Sequence, residues 1–199
     1  MKPLKLTMLL CLFSLFGFSQ NETQKNQIDV TGNYSTTEVF RFTELIGAAS
    51  FENGNSFSLG INYNRNISKK IWFSTGVNYF KSLNDLHPAP TGEPLVITKD
   101  IKTELIRIPA KVRFDLLKWF YIKTGFSLDT ELNSSGSYID NQSGLAYSLA
   151  CGINLNLNKQ IYFNIEPEWN LLSIVPFNSN DYQQHFQTSG VNFGVGFRF

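Results

Sequence analysis

The stretch "GVNFGVGFRF", residues 190–199, alternates without a break. Val191, Phe193, Val195, Phe197 and Phe199 fall on one face of an extended strand, and Asn192, Gly194, Gly196 and Arg198 on the other. A helix would scatter both sets around its axis, so the period of two fixes a strand. In a soluble domain the apolar face would cover a core, yet a chain end frays unless something holds it. The composition of the other face suggests what holds this one: it is small and polar rather than rich in the Lys, Glu and Thr of a water-facing sheet.

The same rule recurs upstream. "SFSLGINYNRNI" sets Phe57, Leu59, Ile61 and Tyr63 against Ser58, Gly60, Asn62 and Asn64. "IWFSTGVNYF" sets Ile71, Phe73, Thr75, Val77 and Tyr79 against Ser74, Gly76 and Asn78. In "WFYIKTGFSL" Phe120, Ile122, Thr124, Phe126 and Leu128 oppose Tyr121, Lys123, Gly125 and Ser127, and "GLAYSLACGINLNL" repeats the arrangement from Leu145 to Leu155. Three segments, "NRNISKKIWFSTGV", "RFDLLKWFYIKTGF" and "NLNLNKQIYFNIEP", each pass from a strand through a tight lysine-bearing turn into a strand that opens with aromatics. The intervening stretches, "LNDLHPAPTGEPLVITKD", "ELNSSGSYIDNQSG" and "SIVPFNSNDYQQHF", are long and polar; the first loop, "ENGN", is short.

Counting from Glu38 to Phe199 gives eight strands, the first drawn from "EVFRFTELIGAAS" with Glu44 on the polar side, Arg41 snorkelling from the apolar side, and a polar lead over residues 20–37. An even strand number with short turns at one end and long loops at the other is the pattern of an all-β, eight-stranded antiparallel up-and-down transmembrane β-barrel over residues 38–199. A secreted lipocalin-like binding barrel would have similar strands. Its polar face would meet water, however, whereas Gly, Ser, Asn and Ala suit a crowded interior and the nearly charge-free apolar face suits lipid. Tyr63, Tyr79, Tyr147, Trp119 and Trp169 fall where an aromatic girdle would sit. Charged residues make up only 17% of the chain, against roughly 25% in soluble domains.

The N-terminus agrees. "MKPLKLTMLLCLFSLFGFSQ" has two lysines, an apolar run too short for the roughly 20 residues of a spanning helix, and the small-x-small pattern Gly17-Phe18-Ser19. Residues 1–19 are therefore expected to be a cleaved signal peptide. Cleavage would remove Cys11 and leave Cys151 alone, which excludes an internal disulfide. The formal net charge of +1, with no basic run, gives no nucleic-acid signal.

"IRIPAKVRF" (106–114) and "NIEPEW" (164–169) resemble, in order, strands of the porin-family outer-membrane β-barrel proteins abundant in Bacteroidetes. The resemblance spans the mature chain and implies Gram-negative outer-membrane residence, with the terminal aromatic Phe199 as an assembly signal read by the barrel-assembly machinery. The strand prolines Pro109 and Pro167 each remove a ladder donor and predict a local bulge.

The lumen parity collects Glu44, Arg107, Lys111, Arg113, Lys123, Asp129, Glu166, Glu168 and Arg198. Glu166 and Glu168 share a face and could form an acid/base couple, but eight strands leave room only for side chains, so a structural ion network is expected. His87 and His185 read as exposed loop histidines. Ser189 lies near His185, without the His-x-Ser pattern of outer-membrane lipid deacylases. No zinc spacing, calcium loop or phosphate loop occurs, so no catalytic residue, metal or cofactor is expected. The functional expectation is a non-enzymatic monomer with a structural, surface-binding or adhesion role. Its expected partners are outer-membrane lipid and an extracellular ligand at the long loops. The alternatives are a narrow passive pore and a lipid-modifying enzyme.

Overall fold

The computed structural model describes residues 25–42, 50–87, 98–134, 139–178 and 183–199. Eight antiparallel strands close into one barrel in sequence order: β1 (Asn26–Arg41), β2 (Ser50–Ser68), β3 (Ile71–His87), β4 (Thr98–Asp115), β5 (Phe120–Ser134), β6 (Gly144–Asn156), β7 (Ile161–Pro176) and β8 (Gln184–Arg198). The tight turns β2–β3, β4–β5 and β6–β7 define one end of the barrel, here the turn end; the opposite end is the loop end. β8 is paired on both sides, to β7 and to β1, and the Phe199 amide donates to the Asn26 carbonyl at 2.9 Å. Two ladders therefore hold the terminal strand.

Following paired residues around the wall, Gln27 leads through Asn64, Ser74, Lys111, Gly125, Ser148, Asn170 and Thr188 back to β1 at Thr37, ten residues further along. That stagger tilts the strands by about 40° and leaves an interior only as wide as its side chains. Alternation then sorts the residues. Ile61, Val77, Phe126 and Val195 are about half exposed on the outside, while Ser56, Ser74, Ser127 and Ser148 are buried inside. Outward aromatics form two bands. Tyr34, Phe57, Tyr79, Phe126, Tyr147 and Trp169 lie toward the loop end, with Phe57–Tyr79, Phe126–Tyr147 and Tyr147–Trp169 in ring contact. Phe73, Phe114, Phe120, Phe163 and Phe197 lie toward the turn end.

Several expectations are corrected. The first strand is Asn26–Arg41 rather than a strand starting at Glu38, so most of the supposed lead over 20–37 is barrel wall. The lead looked like a linker because its inward face is Gln27, Asp29, Thr31, Ser35 and Thr37, and Gly32 and Thr36 dilute its outward face. The earlier start puts Arg41 on the inward parity, opposite Gln184. "ENGN" is no turn; it lies inside β2, where the register with β3 shifts between Glu52 and Asn55. Pro109 and Pro167 cause no bulge. The β3–β4 register is the same on either side of the unpaired step between Thr75 opposite Ala110 and Asn78 opposite Arg107, and β6–β7 behaves alike around Pro167. Each proline turns its missing donor toward a single neighbour, and the ladder omits two pairs there without changing register. The expected signal peptide and Glu44 lie outside the described residues.

Arginine at outward Val77, Ile122 or Ile153 should lower folding stability in bilayers by about 2–4 kcal/mol. Arginine at inward Asn78 or Ser127 should act by crowding. Lipid-phase quenching of spin labels at both sets checks the register; quenching at Asn78 but not at Val77 would invert it.

Candidate functional site in the barrel lumen

The lumen is filled in levels. Nearest the turn end, the Arg113 guanidinium stacks 4.2 Å over the Tyr121 ring and 5.6 Å over Trp72. Its Nε donates to Asp115 (2.7 Å), which also accepts from Trp72 Nε1 (2.9 Å). Across the axis Tyr162 donates to Asp29, which accepts from Asn64 Nδ2 as well (2.6 Å), and Arg198 lies 4.4 Å over the Tyr162 ring. The two inward tyrosine rings fit because glycine stands beside each. A Cβ on Gly152 would sit 2.5 Å from the Tyr121 ring, and one on Gly196 would sit 2.2 Å from that of Tyr162.

One level up, Lys123 from β5 meets Glu166 of β7 at 2.6 Å, and Lys111 of β4 pairs with Glu168. Tyr121 Oη and Asn192 Nδ2 also donate to Glu166. A cavity of about 30 Å³ remains among these groups, with the unpartnered Asn78 Oδ1 on its wall. That is space for about one water. Above it Arg107 Nε donates to Asp129 (3.0 Å), whose other oxygen accepts from Ser127. At the loop end Phe80, Ile101, Leu105, Ala146, Leu172 and Phe186 pack into an apolar plug.

Eight of the nine expected lumen residues thus stand inside the wall, and Glu44 lies outside the described residues. Six of the eight pair with one another in three ion pairs, and Arg113 pairs with Asp115. Arg113 and Arg198 join neither glutamate and belong to the aromatic level instead. Sequence reasoning missed Asp29, hidden in the supposed lead, and Trp72 and Phe80, which stand on the polar parity of "IWFSTGVNYF". It missed Leu105, Leu172 and Phe186 as well, whose inward placement makes the plug. Glu166 and Glu168 are each engaged by a separate lysine around a one-water cavity. That cavity gives an acid/base couple no room for a substrate.

His185 is a further correction. It is not an exposed loop residue but lies in β8 at 5% exposure, its Nδ1 2.9 Å from the Ser173 carbonyl and its ring against Phe40 and Phe42. Ser173 carries φ 54° where β7 breaks its register with β6, and that irregularity brings the carbonyl to the ring. Ser189 stands four residues along the same strand, about 13 Å away at strand rise, too far for a nucleophile–base pair.

A closed, twice-girdled barrel with an apolar exterior and a charge-paired interior is a transmembrane β-barrel of the outer-membrane type. Residues 7–199 match the outer membrane protein beta-barrel domain, and the chain belongs to that family. OprG, an outer membrane protein of Pseudomonas aeruginosa, is similar in structure at TM-score 0.55 and 12% identity, over 90% of this chain and 98% of OprG. Neisserial surface protein A is similar at TM-score 0.52 and 14% identity, over 90% of this chain and all of that one. No curated protein matches the sequence. The fold and family place the chain in the outer membrane.

Glu166→Gln with Glu168→Gln would leave Lys111 and Lys123 buried without counter-charges. The double variant should lose about 3–5 kcal/mol per broken pair, read as a lower urea midpoint in detergent micelles. Burial lowers the His185 pKa from 6.5, outweighing the bond to the Ser173 carbonyl. The folded state thus holds the neutral ring. Its contribution is complete above pH 6.5 and declines as the pH falls through that value toward the lower folded one. Amide exchange at the loop ends of β1 and β8 should accelerate over that range, and His185→Phe should abolish the dependence.

Proposed function

We propose that the protein is a non-enzymatic outer-membrane scaffold with a non-conducting lumen, acting through the surface it presents outside the cell. The observation that carries this reading is the filling of the cross-section above the turn-end mouth, ending in the apolar plug at the loop end. Ions need a continuous polar path, and Phe80, Leu105, Leu172 and Phe186 interrupt it. Strand length supports the surface role: most strands run 15–19 residues, where roughly 9–11 cross a bilayer. The excess lies toward the loop end, so the wall continues past the upper aromatic band as a rigid rim for extracellular contacts. Removal of residues 1–19 as a signal and recognition of Phe199 by the assembly machinery belong to the same proposal.

In planar bilayers the purified protein should show no steady conductance. A stable, salt-dependent channel would overturn the scaffold reading, and altered ion selectivity on Glu166→Gln with Glu168→Gln would trace the path along these carboxylates. On whole cells, deletion of the loop-end segments should abolish surface attachment while leaving the barrel assembled.

A further inference from the structure

Higher in the lumen each cation has its own carboxylate: Arg107 has Asp129, Lys111 has Glu168 and Lys123 has Glu166. At the turn end this matching is incomplete: Arg113 has Asp115 at 2.7 Å, and three further cations have none among the described residues. A cavity of about 520 Å³ opens there, into which Arg113, Lys118, Lys159 and Arg198 contribute four positive charges and Asp115 one negative. Lys118 and Lys159 come from the second and third tight turns. Among the described residues, neither they nor Arg198 have a carboxylate within ion-pair distance. The Arg198 guanidinium donates to the Asn156 amide oxygen (2.7 Å) and is stacked on Tyr162.

One feature separates this mouth from a solvated rim. Arg113, which keeps Asp115 as its partner, and Arg198 are fixed on aromatic faces, so their guanidinium groups are held in place before any ligand arrives. A concave basic surface with low-dielectric walls concentrates its field on whatever enters. Guanidinium forks match the oxygens of a phosphate.

We propose that this vestibule binds a compact oxyanion carrying two or more negative charges, phosphate or pyrophosphate in type, from the periplasmic side. The ligand in the cell is either a free solute or the phosphomonoester of an inner-leaflet lipid headgroup. The proposal is independent of the scaffold reading, since the plug lies at the opposite end of the lumen.

The test uses the full barrel in phosphatidylcholine nanodiscs, titrated calorimetrically with inorganic pyrophosphate. One saturable site is expected. Lys118→Gln with Lys159→Gln, both exposed turn positions, should weaken it about tenfold or more, whereas Lys69→Gln with Lys70→Gln, in the turn outside the cavity, should leave it unchanged. Absence of saturable binding up to ~10 mM overturns the proposal. So does an equal loss in both double variants, which would mark general surface attraction. Repeating the titration with phosphatidic acid in the nanodisc, against phosphatidylglycerol at equal surface charge, separates the two sources: pyrophosphate binding weakened by phosphatidic acid alone identifies the headgroup as the occupant, and equal binding in both identifies a solute.

Discussion

In hydrocarbon no backbone donor or acceptor can turn to water, so the ladder must close on itself. Here closure is made by the pairing of β1 with β8 from Gln27 opposite Arg198 to Arg41 opposite Gln184. Once eight strands close with a stagger of ten residues, the radius is set, and with it the cross-section that inward side chains must fill. Much else in the lumen follows from this. The two inward tyrosine rings enter where the neighbouring strand offers glycine, Tyr121 beside Gly152 and Tyr162 beside Gly196. Long cations reach across to the far wall, as Lys111 and Lys123 do to β7.

Those cross-lumen pairs are not a simple source of stability. Desolvating two charges costs about as much as their attraction returns, and an apolar pair of equal volume is often as good. Their geometry suggests another role. The ladders fix each strand only against its neighbours, and a slip of one residue would turn every side chain to the wrong face. Lys111–Glu168 and Lys123–Glu166 tie β4 and β5 to β7, strands that share no ladder, and such a slip would leave these charges unpaired in the lumen or facing lipid.

Where the two faces contrast strongly the strands were legible in the sequence. Phe193, Val195 and Phe197 against Gly194 and Gly196 left no other reading, and the same holds for β3, β5 and β6. β1 was lost because its outward face holds Gly32 and Thr36 and its inward face is polar from Gln27 to Thr37, so the strand resembles a linker to any scale that rewards hydrophobicity. Most of the charged lumen residues were legible, since parity places Arg107, Lys111, Lys123, Asp129, Glu166 and Glu168 inside; Asp29 and Asp115 were not among them. The pairings were not legible, because which cation meets which carboxylate depends on the stagger of the closed wall. His185 and the plug were hidden for a related reason. Strands that continue into polar, turn-rich sequence look like loops until the ladder is seen to persist, and the β7 irregularity at Ser173 has no period to announce it.

β4 shows how one strand serves every level. Arg113, Lys111, Arg107, Leu105 and Ile101 stand on its inward parity, passing from the aromatic mouth through two ion-paired levels to the apolar plug. The steps inward from the turn end pass from Arg113, paired with Asp115 at the open mouth, to cations paired inside the wall, and then to no charge at all. The lumen is therefore graded: basic and open at the turn end, neutral by pairing in the middle, apolar at the loop end. An anion drawn in at the mouth would meet Glu166 next and the apolar plug after that, and this sequence of environments is the physical ground on which the proposed non-conducting lumen rests.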